Sequence, residues 1–225
     1  MSVPWAMQIV VRVEKDPSPA HTAVLRATGS AVAVSLAGFL APEADPEVRE
    51  HTERWRSGPI RKVVRRARGA GWTRQLAVAG VAVHRSHGVD VAVHVPGPVD
   101  EVDPEISRLQ VGGLTLDDPS DERTWPLDAG VRLWLNPHLA LTTGKAAAQV
   151  GHAAQLLWEW LPADGADRWV ADGAPLDVVV AAESDWAGLV EHAPVVVTDG
   201  GFTEVPPGTI TVVAGPVSSS RRTAP

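Results

Sequence analysis

Short apolar runs broken by polar turns dominate the chain, and their order repeats. QIVVRVEK near the start reads as a strand, DPSPAH breaks it, and AVLRATGSAVAVSLAGFL has helical character. Further on, VRLWLN reads as a strand, PHLALTTG breaks it, and KAAAQVGHAAQLLWEWL reads as a helix. At the far ends, GVAVHRSHGVDVAVHVPGPV (residues 80–99) parallels PVVVTDGGFTEVPPGTITVVAGPV (residues 194–217) as strand, polar turn, strand and Gly-Pro-Val. This order predicts a tandem duplication of one α/β unit, the alternative being chance similarity among Ala/Val-rich strands.

Between these ends, DGAPLDVVVAAES predicts a buried strand and DWAGLVEHA a short helix. In the first half PEVREHTERW and PIRKVVRRARGAGW are both predicted as helices, the second opened by proline and stopped near Gly69 or Gly71. Apolar Ile60, Val63, Val64 and Ala67 recur at spacings of three and four, which leaves Arg61, Lys62, Arg65, Arg66 and Arg68 toward water on a basic amphipathic helix. Such a face is either solvated or phosphate-binding. Residues 100–130 are rich in Asp, Glu, Pro and Gly and hold no sustained period; they read as an acidic connector in which LQVGGLTL could add a strand. The expected organisation is a lobe over 1–99, the connector, a second lobe over 131–217 and a tail over 218–225.

Composition narrows the possibilities. The 225 residues are 44% hydrophobic, as expected of a globular protein. The absence of cysteine excludes disulfides, thiolate metal sites and thiol catalysis. MSVPWAMQIVVRVEK lacks the features of a signal peptide, and no run approaches the roughly 20 apolar residues of a membrane span, so a cytoplasmic location is expected. The net charge of −7 argues against nucleic acid as a partner, but it hides an asymmetry. Residues 1–99 carry 13 Lys/Arg against 8 Asp/Glu, residues 100–130 carry 2 against 9, and residues 131–217 carry 3 against 10.

Two stretches carry candidate chemistry. In LTTGKAAAQVGHAAQ, Gly144 after two possible capping threonines builds a helix N-terminus whose N–H groups attract anions. Lys145 in the first turn opposes the helix dipole, and Lys145, Gln149 and His152 share one face at spacings of four and three. The face is either a site or the polar rim of a core helix. In VVVTDGGFTEVPPGTITVV, a strand ends in Asp199, two glycines follow, and Thr203, Thr209 and Thr211 precede the last strand. Asp199 is either an acid/base or orienting group at the carboxyl edge of a sheet, or the first residue of a turn.

Taken in order, GKAAAQVGHA and DGGFTEVPPGTITVVAGP resemble the type 2 peptidyl-tRNA hydrolase family, over residues 131–217. The resemblance implies two tandem three-layer-type α/β units with mixed four-stranded sheets. It also implies metal-independent, cofactor-free hydrolysis of the ester that joins a peptide to tRNA. On the matching positions it implies Lys145, Asp199, Thr203 and Thr211 as catalytic residues, with Gly144, Gln149, His152 and Thr209 in support. Two departures stand out: Thr142, Thr143 and Gly144 precede a single Lys145 where the family usually has Gly-Lys-Gly-Lys, and Phe202 replaces a basic residue.

That family works as a homodimer, so the duplication implies a covalent pseudo-dimer with one surviving site. Aligning the lobes puts Thr22 near Lys145, Arg26 near Gln149 and Gly29 near His152, with His87 and Asp90 in the hairpin region and no Asp-Gly-Gly-x-Thr. The expected partner is tRNA, drawn by Arg61, Lys62, Arg65, Arg66 and Arg68 of the first lobe. The competing expectations are a non-catalytic RNA-binding or protein-interaction module on the same fold, and an amidase or esterase acting on a small molecule.

Overall fold

The computed structural model describes residues 3–119, 130–201 and 204–217. Its first lobe opens with β1 (Trp5–Arg12), in which Met7, Ile9 and Val11 point to one face and Val10 to the other, all fully buried. Two buried faces make this a central strand rather than an edge. Helices α1 (His21–Phe39) and α2 (Pro46–Arg56) follow, α2 started by Pro46 and by an Asp45 carboxylate that accepts the Glu47 N–H at 2.8 Å. Then come β2 (Lys62–Ala67), α3 (Gly69–Gln75), and the hairpin β3 (Ala82–Ser86) and β4 (Val89–Val93).

The connector is partly structured. Just before it β5 (Gly97–Pro98) ends the first lobe and pairs with β1; the connector itself holds the one-turn α4 (Pro104–Ser107) and β6 (Gln110–Val111), which pairs with β2. The first sheet therefore has six strands instead of the expected four, because the connector's β6 extends it at the β2 edge and the end of the first lobe adds β5 beside β1. Residues 120–129 of the connector and the tail over 218–225 lie outside the described residues.

The second lobe contains β7 (Val131–Leu135), α5 (Thr143–Trp160), α6 (Ala163–Ala171), β8 (Asp177–Val180), α7 (Glu183–His192), β9 (Val195–Thr198) and β10 (Ile210–Pro216). Its sheet order is β8-β7-β10-β9, with β7 parallel to β8 and antiparallel to β10, and β10 antiparallel to β9. The first lobe has the same path, β2-β1-β4-β3, with the same senses at every step. Two mixed α/β units of one topology thus lie in one chain.

Helices α1 and α5 lie between the sheets. Each packs on its own sheet and reaches across to the other lobe, α1 to β8 and α5 to β2. His21 meets Thr143 at their starts, and Gly29 and Val32 lie against Val150 and Gly151 further along, so the helices run side by side in the same direction. A Cβ at Gly29 would come within 2.8 Å of Leu176, and one at Gly151 within 3.2 Å of the Lys62 stem. Alanines along both helices keep the remaining contacts close, and one continuous apolar core spans both lobes. Helix α1 is the described helix long and apolar enough to cross a membrane by length and composition, and its apolar window is 78% buried within the protein. Its all-round apolarity is that of a helix enclosed by a core.

Neither central helix has an acidic residue in its first turn. Carboxylates from elsewhere take that role. Asp118 accepts the Thr22 N–H at 2.7 Å and the Thr22 hydroxyl at 2.5 Å, and Glu204 accepts the Thr142 N–H at 2.9 Å and its hydroxyl at 2.6 Å. Each places negative charge against a helix N-terminus, the favourable sign for the helix dipole.

The expected basic helix over residues 59–71 is a correction. Residues Lys62–Ala67 form β2, in parallel register with β1 from Met7↔Lys62 to Arg12↔Ala67, and a separate helix begins at Gly69. The β-branched pair Val63–Val64 suits a strand, and Lys62 and Val64 share the buried face. The apolar spacing fits both periods over so short a run, and pairing with β1 decides it.

Candidate functional site

Helix α5 begins where Thr142, in extended conformation, turns its hydroxyl to accept the Lys145 N–H at 3.3 Å. The Gly144 N–H donates to the Leu114 carbonyl at 3.3 Å, and the Ala146 N–H to the Thr142 carbonyl at 2.9 Å. The anion-binding N–H groups expected at Gly144 and Lys145 are therefore already engaged. What the helix start presents is the Lys145 side chain.

Opposite, β9 ends at Thr198 and leads into Asp199. The Asp199 N–H donates to the Thr209 carbonyl at 2.8 Å, and the Gly208 N–H donates to the Asp199 carbonyl at 2.9 Å, which closes the loop between β9 and β10 at its base. Gly201 has φ +76°, and a Cβ there would sit 2.3 Å from the Pro207 nitrogen, so only glycine fits the turn. Its N–H donates to Asp199 Oδ1 at 2.7 Å.

Lys145 Nζ donates to Asp199 Oδ2 at 2.5 Å, and Gln149 Nε2 donates to the same oxygen at 2.6 Å. Thr211 donates its hydroxyl proton to Gln149 Oε1 at 2.7 Å, which orients the amide. The Lys145 and Asp199 side chains are 13% and 6% exposed, so the pair is shielded yet not sealed. Burial raises the Asp199 carboxyl, but hydrogen bonds from Lys145, the Gly201 N–H and Gln149 outweigh it and hold the group below its ordinary value. Asp199 is thus an ionised acceptor and a weak base. Lys145 keeps two further N–H donors beyond the one given to Asp199.

These residues border a cavity of about 540 Å³, within the ordinary range for small-ligand sites. One side is α5, through Gly144, Lys145, Gln149 and His152; another is Asp199 and Glu204 of the second lobe. The third side is β2 of the first lobe, with Arg61 and Lys62. The site is therefore walled by both lobes.

Lys62 is 8% exposed. It donates to Gln155 Oε1 at 2.5 Å, lies 3.4 Å from His152 Nδ1, and sits 4.8 Å from the centre of the Trp55 ring. Burial pulls its ammonium down to about 7 against an opposing effect of Glu159. Burial first, then the charges of Lys62 and Lys145, keep His152 well below the ordinary histidine value, so it is neutral at physiological pH.

Of the residues expected from the sequence, Gly144, Lys145, Gln149, His152 and Asp199 meet at the cavity. Thr211 is fully buried behind Gln149 and does not line it, and Thr209 donates to the Pro206 carbonyl within its own turn. Thr203 lies outside the described residues. Among the expected phosphate contacts, Lys62 is buried, Arg65 is bound to Gln8 and to the Ser107 and Leu109 carbonyls, and Arg66 is bound to Gln110. Arg65 and Arg66 hold the connector on the sheet edge. Arg61 lines the cavity and Arg68 is exposed.

In the first lobe Arg26 turns away from any comparable site. It pairs with Asp177 at 2.6 Å, and Asp177 also accepts from Arg132 at 3.1 Å, a nearly buried bridge between the lobes. Asp90 pairs with Arg12 and Arg85. Glu204 as the clasp of the α5 start was not expected; a lone exposed acidic residue beside prolines gives no sequence signal. No protein-family model matches the chain.

Proposed function

We propose that this protein hydrolyses the ester bond of peptidyl-tRNA, through a site in the second lobe completed by the first. One observation carries the reading: residues fifty or more positions apart, which resemble two motifs of the type 2 peptidyl-tRNA hydrolases, form one hydrogen-bonded set, Lys145–Asp199–Gln149–Thr211, on a cavity. The identical strand path of the two lobes supports a duplicated unit and the pseudo-dimer.

In the proposed reaction, water attacks the ester carbonyl, its oxygen bonds to the acyl carbon, and the bond from that carbon to the ribose oxygen breaks. The water gives one proton to the leaving ribose oxygen. The negative charge that builds on the carbonyl oxygen is stabilised by the two Nζ–H donors Lys145 has left. Asp199 fixes the Lys145 ammonium and orients the water through a remaining carboxylate lone pair. Gln149 holds Asp199, and Thr211 holds Gln149. Arg68, which is exposed, is the basic residue of the set best placed to meet tRNA phosphate.

A non-catalytic RNA-binding or protein-interaction module is the second reading. It is favoured by the engaged N–H groups of Gly144 and Lys145, which leave one side chain to stabilise an oxyanion. Release of an N-blocked aminoacyl group from tRNA, compared between the natural protein and Asp199→Asn, decides between the two. Turnover that the substitution abolishes supports the hydrolase; no turnover, or turnover it leaves unchanged, removes it.

A further inference from the structure

We infer that Lys62 of the first lobe is a positioning residue of the second lobe's site: its side-chain nitrogen fixes His152 in the tautomer that carries its proton on Nε2, for presentation to the cavity. The geometry has three parts. Lys62 Nζ is 3.4 Å from His152 Nδ1, and an ammonium there can only donate, so with Lys62 protonated Nδ1 is the acceptor and the ring proton belongs on Nε2. Nδ1 is thereby engaged, whereas Nε2 makes no hydrogen bond among the described residues, and His152 lines the cavity.

The second part is how the lysine is held. Gln155 Oε1 accepts from Nζ at 2.5 Å; Gln155 Nε2 in turn donates to Glu159 at 3.1 Å, and Arg56 binds that same Glu159 oxygen at 2.6 Å. The Trp55 ring closes another side at 4.8 Å. A chain of partners from α2, α5 and β2 thus sets the position of one nitrogen.

The third part is Gly151. It lies in the interior of α5, where glycine costs about 1 kcal/mol relative to alanine, and a Cβ there would come within 3.2 Å of Lys62 Cδ and 3.3 Å of Val32. The helix is open at the one turn where the lysine stem from the other lobe crosses it, next to His152 in sequence. The charged and titratable groups around the pair are Glu159 and Arg56 on the far side of Gln155, and Lys145 on the near side of His152. Lys145 and Lys62 both disfavour a charged ring, which keeps His152 a neutral Nε2–H donor.

This inference rests on the proposed hydrolase only for what the ring meets: a carbonyl or a ribose hydroxyl, both of which accept from an imidazole N–H. The placement of the proton is testable without any substrate. Long-range ¹H–¹⁵N correlation spectra of the full chain, with His152 assigned by comparison with His152→Gln, report the tautomer directly. The expected result is an Nε2–H tautomer in the natural protein that stays neutral through the pH range in which an ordinary histidine takes up its second proton. In Lys62→Met, whose apolar stem still packs on Gly151 and Trp55, the ring becomes a mixture of tautomers and titrates closer to an ordinary histidine. An Nδ1–H ring in the natural protein, or an unchanged tautomer and titration in Lys62→Met, overturns the inference whether or not the protein hydrolyses peptidyl-tRNA. In the hydrolysis assay, Lys62→Met should lower kcat/KM about tenfold; a lost tautomer with unchanged kcat/KM restricts the ring to a structural role and also overturns it.

Discussion

The two lobes share one strand path but differ in the loop that joins the last two strands of that path. In the first lobe β3 and β4 are joined by His87 and Gly88, both with positive φ, the tight two-residue turn that suits a twisted hairpin. In the second lobe the matching strands β9 and β10 are joined by residues 199–209, which carry Asp199, Gly201 and Glu204. The scaffold is the same, yet one lobe has room for a carboxylate, a forced glycine turn and a clasp on the α5 start, and the other has none. What distinguishes the lobe with the candidate site from the other here is loop length at one sheet edge, since loops carry groups that a rigid scaffold positions. The first lobe's contribution passes instead through β2, whose Lys62 reaches α5.

The sharpest way to break this contrast is Asp199→Asn. Loss of the carboxylate that holds Lys145 should lower hydrolysis of an N-blocked aminoacyl-tRNA by about 10²–10⁴, measured as kcat/KM. A residual rate within tenfold would show that the long loop is not what makes the lobes differ.

Asp177→Ala probes the joint between the lobes. It leaves Arg26, 3% exposed and already without a partner at Nε, buried beside Arg132. An uncompensated buried charge should lower the unfolding free energy by about 4 kcal/mol, read from chemical denaturation. Hydrolysis per folded molecule should not change.

Lys62→Met should have the opposite effect on stability. The folded value of about 7 lies below the ordinary 10.5, so between those values the unfolded chain binds the extra proton and natural-protein stability rises with pH. At pH 6 the variant should be more stable by on the order of 5 kcal/mol. The advantage should shrink as pH rises from about 7 toward 10.5. A gain independent of pH would show that Lys62 is not a buried charge at the lobe boundary.

Thr142→Ala is the mildest. Loss of the cap on α5, and of the link to Glu204, should cost about 1 kcal/mol, measured as a small drop in thermal midpoint. The corresponding Thr22→Ala removes the Asp118 contact at the start of α1. Equal losses would sharpen the equivalence of the two helix starts.

Much of the site was legible because it is local. Lys145, Gln149 and His152 follow helical spacing, and Asp199 lies where a strand gives way to two glycines, so pattern alone put three of them on one face. Their meeting could only be expected through the resemblance to a known pair of motifs, since no periodicity links Lys145 to a carboxylate 54 residues later. Thr211, expected among the catalytic residues, is buried behind Gln149. Lys62 was misplaced for a different reason: a short run with apolar residues at 60, 63, 64 and 67 satisfies a helix about as well as a strand.

By itself the sequence determined the alternation of strands and helices, the repeat of the two lobes and the polar stripe on α5, because each follows from the period of apolar positions over a few turns or a few pleats. Only the tertiary structure decided that residues 62–67 are a strand, that Asp118 and Glu204 serve the two helix starts, and that Lys62 stands against His152, 90 residues away in the chain. Those outcomes depend on which partner lies across a sheet or a helix crossing. Backbone pairing with β1 and burial against Trp55 and Gly151 outweigh the local preference of a basic, half-apolar segment.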